Sequence, residues 1–370
     1  MKILILSCNT GEGHNSCARA IAEELERNGD TGCIADGLAF LSTGTSKFVS
    51  GWHTRLYRYF PRLYGKGYEY AEKHPVTIKK HTAAYRMIRR GAMRLRKAIR
   101  VGGYDGVVCT HLFPAMLMTG LVKKGSVTAP ACFLATDYTA SPGCEKVGLQ
   151  TITPHPDLTE EFLAMGIPAE SILPYGIPVR RMFAQKTDKA EAKRRVGVDP
   201  QSLHAVIMGG SMGCGPMEDV LSEIAGNMPE NIELTVICGT NRQTADKLRR
   251  RHGDDPRVHI KGYVKDMSLM LDSADLYLTK AGGISTTEAA VKGVPLVLAD
   301  AVGGCESRNL EFFVKHGAAV TAKAEELGGL CVSLLEDGSR LDAMAQAIER
   351  LRMEGAAEKI CGYMRQRAGK

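Results

Sequence analysis

The sequence predicts an α/β chain of two domains, each a doubly wound parallel sheet. Three observations predict it. First, a short apolar run at residues 3–6 ends in Gly11-Glu12-Gly13-His14 and opens a helical pattern, and residues 204–208 repeat this order into Gly209-Gly210-Ser211-Met212-Gly213. Second, Pro174-Tyr175-Gly176-Ile177-Pro178-Val179-Arg180, followed by a charged run over 186–195, has the composition of a turn and linker between them. Third, 370 residues suit two domains of roughly 150 to 200 residues each. The expected division is 1–178 and 179–348, with a helix over 349–370.

Composition narrows the class. Hydrophobic content of 44% and charged content of 24% are ordinary for globular proteins. The 11 cysteines form no paired CxxC framework, and Cys109, Cys132 and Cys238 sit in apolar runs, so they read as reduced core thiols of a cytoplasmic protein. MKILILSC enters a glycine turn directly, which argues against a signal peptide. No window of 18 apolar residues offers a membrane span.

In chain order, residues 3–6 read as a buried strand, and the helix that follows runs to about Asn28 with Cys17, Ile21 and Leu25 spaced by four. His14 stands at the loop-to-helix junction, at the carboxyl end of the first strand, where open α/β sheets place ligands. From position alone it reads equally as a cap or a solvent-facing histidine. Residues 47–100 hold 15 Lys and Arg against 2 Asp and Glu, more than the whole chain's excess of +7. They also carry the sole tryptophan, Trp52, with Tyr57, Tyr59, Phe60, Tyr64, Tyr68 and Tyr70. Nucleic-acid binding, an anionic membrane surface and a solvated face compete for this segment, and the mixture of aromatic and basic residues favours the membrane. Ile88, Ala92, Leu95 and Ile99 give a basic amphipathic helix bearing Arg86, Arg89, Arg90 and Arg94. Residues 104–110 and 131–136 read as further parallel strands. His111 and Asp137 stand at their ends, where neighbouring backbone groups could satisfy either, and the structural role is the stronger reading for His111.

The second domain carries the densest chemistry. The run 275–279 leads into Lys280-Ala281-Gly282-Gly283, after which Ser285 to Val291 has helical spacing. Glycines allow close backbone approach, and the first N–H groups of a helix face an anion, which suits the diphosphate of a nucleotide bound at Gly282, Gly283, Ile284, Ser285 and Thr286. Glu288 lies one turn into the helix, where its carboxylate can accept both ribose hydroxyls. A strand over 294–299 then leads to Gly303-Gly304-Cys305-Glu306, and Asn309 shares a helix face with Glu306.

The stretch TKAGGISTTEAAVKGVPLVLADAVGGCESRN, residues 279–309, resembles the donor-site signature of GT-B glycosyltransferases, with two Rossmann-like domains facing across a cleft. It resembles most the branch holding the peptidoglycan glucosaminyltransferase, monogalactosyldiacylglycerol synthase and processive diacylglycerol glucosyltransferase. TGEGHNSCARAI is similar to the family's TGGGH-type motif, with Glu12 where glycine is usual. The resemblance makes His14 the candidate general base and puts Gly11 and Gly13 on the acceptor side. The segment from Trp52 to Tyr70 looks like the insert with which lipid glycosyltransferases meet the bilayer, and Asp137 in ATDY is similar to the family's TD pair, which implies that it faces the ligand as a candidate catalytic residue. Residues 140–144, ASPGC, depart from the aromatic, histidine-containing stretch that commonly follows. GIPVR matches the crossing into the second domain, which implies Arg180 near the uracil or diphosphate. Gly209 to Gly213 resemble the first phosphate-proximal loop, and Gly262-Tyr263-Val264 the segment whose backbone holds the base. Cys305 stands where the family often has glutamine.

The resemblance implies an inverting hexosyltransferase that moves a hexose from a UDP-hexose to a membrane lipid, with 1,2-diacylglycerol the expected acceptor. His14 would take the acceptor proton as UDP leaves from the opposite face. With no DxD pair and no His/Cys cluster at metal spacing near these loops, no essential metal or other cofactor is expected. The protein is expected on the inner face of the cell membrane as a peripheral, cytoplasmic enzyme that binds no nucleic acid. Two rivals remain: a nonhydrolysing UDP-N-acetylglucosamine 2-epimerase of the same fold, and a noncatalytic nucleotide-sugar sensor.

Overall fold

In the computed structural model, the described residues are 1–9, 11–42, 44, 51, 82–210, 213, 217–226, 228–299 and 303–369. Trp52, the aromatic residues between 57 and 70, Ser211 and Met212 lie outside them. The chain forms two compact units, one of residues 1–181, 303–305 and 353–370, the other of 182–302 and 306–352.

The first unit opens with β1 (Lys2–Ser7) and α1 (Glu12–Arg27), followed by β2 (Thr31–Asp36), α2 (Ala83–Gly102), β3 (Gly106–Cys109) and α3 (Leu112–Lys123). Then come β4 (Ala131–Leu134), β5 (Gln150–Ile152), α4 (Thr159–Ala164) and β6 (Ile172–Leu173). The strands lie parallel in the order β2-β1-β3-β4-β5-β6. Buried on both faces, β1 and β3 read as unbroken apolar runs. Cys17, Ile21 and Leu25 of α1 are almost wholly buried, as their spacing predicts. Thr82 caps α2 by accepting from the Tyr85 N–H. Leu95 and Ile99 of the apolar face are buried, with Ile88 and Ala92 half-buried.

The second unit holds α5 (Lys189–Val196), β7 (Leu203–Met208), α6 (Met217–Gly226), β8 (Ile232–Ile237), α7 (Arg242–His252) and β9 (Val258–Lys261). It continues with α8 (Met267–Ser273), β10 (Leu276–Lys280), α9 (Gly283–Lys292), β11 (Leu296–Ala299), α10 (Cys305–Lys315), β12 (Ala319–Val320), α11 (Leu327–Glu336) and α12 (Gly338–Arg350). Its strand order is β12-β11-β10-β7-β8-β9, all parallel. A buried Lys292–Asp272 pair, 2.8 Å apart, also takes the Gln185 carbonyl and the Thr187 N–H, which fastens the segment entering this unit to its helices. Such a pair is stable in the interior because the remaining donors and acceptors are also satisfied.

The last helix, α13 (Ala356–Arg367), packs on the first unit. Its Met364 lies against Cys132, and Arg365 pairs with Asp30. Gly106 of β3 lets the helix pack close, since a Cβ there would come 2.5 Å from the Met364 Cε and the methionine end would have to shift. Cys109, Cys132 and Cys238 are buried free thiols, and burial pushes Cys132 up to about 12. Among the described residues no helix is long and apolar enough to cross a membrane.

Candidate functional site

In the first sheet the strand order reverses between β1 and β3, the crevice where open α/β sheets hold ligands. His14 follows β1, His111 follows β3, and Thr136 and Asp137 follow β4, so neighbouring strands deliver all four to one edge. Gly11 is the N-cap of α1 in extended conformation, with no side-chain cap; Glu12 and Gly13 form its first turn. Glu12 pairs with Arg19 at 2.7 Å, and a carboxylate in a first turn also suits the helix dipole. The departure from glycine therefore has a local reason.

The His14 Nδ1 lies 2.7 Å from the Thr110 carbonyl oxygen and 3.1 Å from the Thr136 hydroxyl. A carbonyl only accepts, so the proton in this bond is on Nδ1, and in the neutral ring Nε2 is the basic nitrogen. The Thr110 hydroxyl donates to the His14 carbonyl at 3.1 Å, and the His111 ring meets the imidazole edge-on at 4.7 Å. Burial lowers the His14 pKa below the usual histidine value, opposed by the Asp137 charge and the Thr110 bond. The ring is thus held neutral near pH 7, as a base requires. His111 caps α3 by accepting from the Phe113 N–H at 3.0 Å, a structural role.

In the second sheet the reversal falls between β7 and β10. Their ends carry Gly209-Gly210 and Lys280-Ala281-Gly282, and the loops after β8, β9 and β11 open at the same edge. Gly210 (φ 72°) and Gly213 (φ 57°) are left-handed, and a Cβ at Gly213 would strike the Cys238 carbonyl at 2.1 Å. Gly282 caps α9 at φ −79° and offers no side-chain cap to the first-turn N–H groups of Gly283, Ile284 and Ser285. The Thr286 hydroxyl instead donates back to the Gly282 and Gly283 carbonyls, both at 3.1 Å. Glu288 is half-buried one turn on, and its charge adds to burial in pushing the Tyr277 phenol upward. Tyr263 is exposed and Val264 half-buried after β9.

Lys280 is a residue that the sequence reading placed at the head of the glycine turn without giving it a role. Its ammonium lies 2.6 Å from the Glu306 carboxylate, and its stem crosses Gly210, where a Cβ would come 2.9 Å from the lysine Cε. A cation thus sits between the two glycine loops. A lysine closing a buried strand just before paired glycines was the available signal. Thr110 and Thr136 were read as polar residues at strand ends and given no role.

Three of these residues have partners within the protein. Asn309, expected beside Glu306 in contact with ligand, is fully buried and donates to the Ala281 carbonyl at 2.8 Å, so it braces the glycine loop from behind. Arg180 lies in the first unit, where its Nε donates to Glu23 of α1 at 2.8 Å. That ion pair ties the end of the linker to α1. Arg94, itself still exposed, donates to the Leu41 carbonyl at 2.6 Å and fastens α2 to the chain after β2. Arg86, Arg89 and Arg90 remain exposed on α2, as do Met87, Met93 and Val101. Cys305 begins α10 after Gly303 and Gly304, both left-handed.

Residues 14–179 match the monogalactosyldiacylglycerol (MGDG) synthase family, and residues 204–359 the glycosyltransferase family 28 C-terminal domain. The chain is 26% identical to the processive diacylglycerol beta-glucosyltransferase of Staphylococcus carnosus (strain TM300), over 97% of this chain and 91% of that protein. It is 28% identical to the probable chloroplastic monogalactosyldiacylglycerol synthase of Glycine max, over 87% of this chain and 63% of that protein. The crystal structure of MurG from Acinetobacter baumannii superposes with a TM-score of 0.66 at 16% identity, covering 99% of both chains. The UDP-GlcNAc 2-epimerase from Neisseria meningitidis bound to UDP-GlcNAc gives 0.64 at 14%, covering 99% of this chain and 100% of that one. At such identities these two likenesses speak to the fold alone, which is GT-B. Two family matches that together span most of the chain, with full-length relatives of one kind, place it: the chain belongs to the GT-B glycosyltransferases of the monogalactosyldiacylglycerol synthase and processive diacylglycerol glucosyltransferase type.

Proposed function

We propose that the protein transfers a hexose from a UDP-hexose to the hydroxyl of a membrane diacylglycerol, with inversion at the anomeric carbon. The observation that carries this reading is His14, whose Nδ1 proton is held by the Thr110 carbonyl so that Nε2 is free of its proton in the neutral ring. Nε2 takes the acceptor proton as the acceptor oxygen bonds to the anomeric carbon and the bond from that carbon to UDP breaks. General base assistance of this kind contributes ~10² to 10⁴ in rate. Charge growing on the diphosphate is received by Lys280 and the first-turn N–H groups of α9. Glu288 takes the ribose hydroxyls, Tyr263 and Val264 the base, and Glu306 and Cys305 the sugar. The chemistry is proposed to need no metal, since the lysine supplies the positive charge.

The protein docks on the inner face of the cell membrane as a peripheral protein. Support comes from α2, whose exposed Arg86, Arg89 and Arg90 stand among Met87, Met93 (61% exposed) and Val101 (73% exposed). The transferase names of the full-length relatives favour this reading over the epimerase. The test is incubation with a panel of UDP-sugars and mixed lipid vesicles, with and without EDTA, followed by mass spectrometry of the lipids. A lipid mass increased by one hexose, with free UDP released in both conditions, is expected. Conversion of the UDP-sugar itself with unchanged lipid would establish the epimerase, and binding without any turnover the sensor.

A further inference from the structure

His14 is gripped from two strand ends at once. Behind β3, the Thr110 carbonyl holds Nδ1 at 2.7 Å while the Thr110 hydroxyl donates to the His14 carbonyl at 3.1 Å. Behind β4, the Thr136 hydroxyl oxygen stands 3.1 Å from the same Nδ1, on a residue only 9% exposed. The His111 ring closes a further side at 4.7 Å and 70°. One acceptor on a ring nitrogen leaves the imidazole able to swing about that bond. A second acceptor from a different strand removes this freedom.

We infer that Thr136 is a positioning residue for the transfer step: its hydroxyl, with the Thr110 carbonyl, fixes the plane of the His14 ring and keeps the proton on Nδ1, so that Nε2 meets the acceptor hydroxyl. The inference rests on the reading of His14 as the base. The groups facing the ring are the Asp137 carboxylate, the His111 imidazole, the Thr110 carbonyl and Thr136 itself. Thr136 carries no charge. It acts through direction, and through one accepted hydrogen bond that strengthens when the ring becomes an imidazolium.

The test compares Thr136→Val, which keeps the shape and removes the hydroxyl, with Thr136→Ser, which keeps the hydroxyl, against wild type and His14→Ala. Thr136→Val should lower kcat about three- to tenfold, the worth of one hydrogen bond, with KM for the UDP-sugar and UDP affinity unchanged. The acid limb of its kcat/KM profile should move to lower pH, because the charged ring loses an acceptor, and Thr136→Ser should recover most of kcat. Thr136→Ala repeats the comparison should valine disturb the packing. Wild-type turnover in Thr136→Val, or equal losses in Val and Ser variants with an unmoved pH profile, would overturn the inference and leave Thr136 a packing residue. If His14→Ala itself turns over like wild type, the base assignment falls and takes this inference with it. An inactive His14→Ala beside a fully active Thr136→Val removes the inference alone.

Discussion

Replacing Lys280 with methionine should separate what this residue does for the fold from what it does for the donor. Methionine keeps a stem of similar length beside Gly210, where the lysine Cε lies 2.9 Å from a Cβ position, and removes only the charge. Two consequences follow. Glu306, with 15% of its side chain exposed, loses the ammonium 2.6 Å away. Since Lys280 is itself 28% exposed at the side chain, water screens the pair, and the stability loss should be about 1 kcal/mol. The second consequence is larger. A unit charge ~4 Å from a phosphate oxygen interacts by about 4 kcal/mol at an effective dielectric of ~20. Lysine is already partnered by Glu306, so the net loss in UDP binding should be roughly 1.5 to 3 kcal/mol, or about 10- to 150-fold in Kd. The double variant Lys280→Met with Glu306→Gln removes both charges and should melt close to wild type while still binding UDP weakly. Calorimetric UDP titration and thermal melting of the four proteins of this cycle measure both quantities. If Lys280→Met binds UDP like wild type and only melts lower, the lysine is a structural partner of Glu306 and the assignment is wrong.

Other outcomes bear on the remaining parts of the site. Glu288→Ala should weaken UDP by roughly 1.5 to 3 kcal/mol through the lost ribose contact, and unchanged affinity in calorimetry would remove that role. Gly282→Ala should leave stability within about 0.5 kcal/mol, because Gly282 sits at φ −79° with only the Lys280 Cε within 4 Å of a Cβ, at 3.8 Å; weakened UDP binding would mean that the glycine serves ligand approach. Replacing Arg86, Arg89 and Arg90 by Ser should reduce sedimentation with anionic vesicles by about 1 kcal/mol per residue and leave neutral vesicles and UDP affinity unaffected, whereas Arg94→Ser should chiefly lower the melting temperature. Burial lowers His204 from 6.5 to about 4, so between these values the unfolded chain binds a proton that the folded chain does not. Stability should therefore fall as pH drops from 6.5 to 4, by about 3 kcal/mol from this group, and a pH series of denaturant unfolding with His204→Gln should show that slope flattened.

The strand–glycine–helix order at both ends of the chain was legible because it is written in adjacent residues: apolar runs, glycine pairs and spacing by four. The inner face of α2 was legible for the same reason. Partners of charged side chains were not. Arg180 finds Glu23, Arg94 finds the Leu41 carbonyl, and Lys280 finds Glu306, in each case across a sequence separation that leaves no local trace. Asn309 was put on the correct helix face with Glu306, yet three residues along a helix also rotate the side chain by some 60°. That turn is enough to send one to Lys280 and the other under the glycine loop.

The two candidate sites, one in each unit, use the protein interior in opposite ways. Around His14, burial opposes charge and lowers the imidazole pKa, and it outweighs the Asp137 charge that resists it. On the proposed function, such a base would accept its proton only as the reaction supplies one, and the Asp137 carboxylate would then steady the imidazolium. At Lys280 the protein instead places a carboxylate, Glu306, directly against the ammonium, which offsets the cost of holding a positive charge half-buried beside Gly210. On the proposed function, a diphosphate arriving there would compete with Glu306 for the same ammonium, so part of its binding energy would be returned in the ground state. The lysine answers most strongly when the leaving group carries more charge than the bound donor, which is the condition under which an electrostatic contact raises turnover more than it tightens binding.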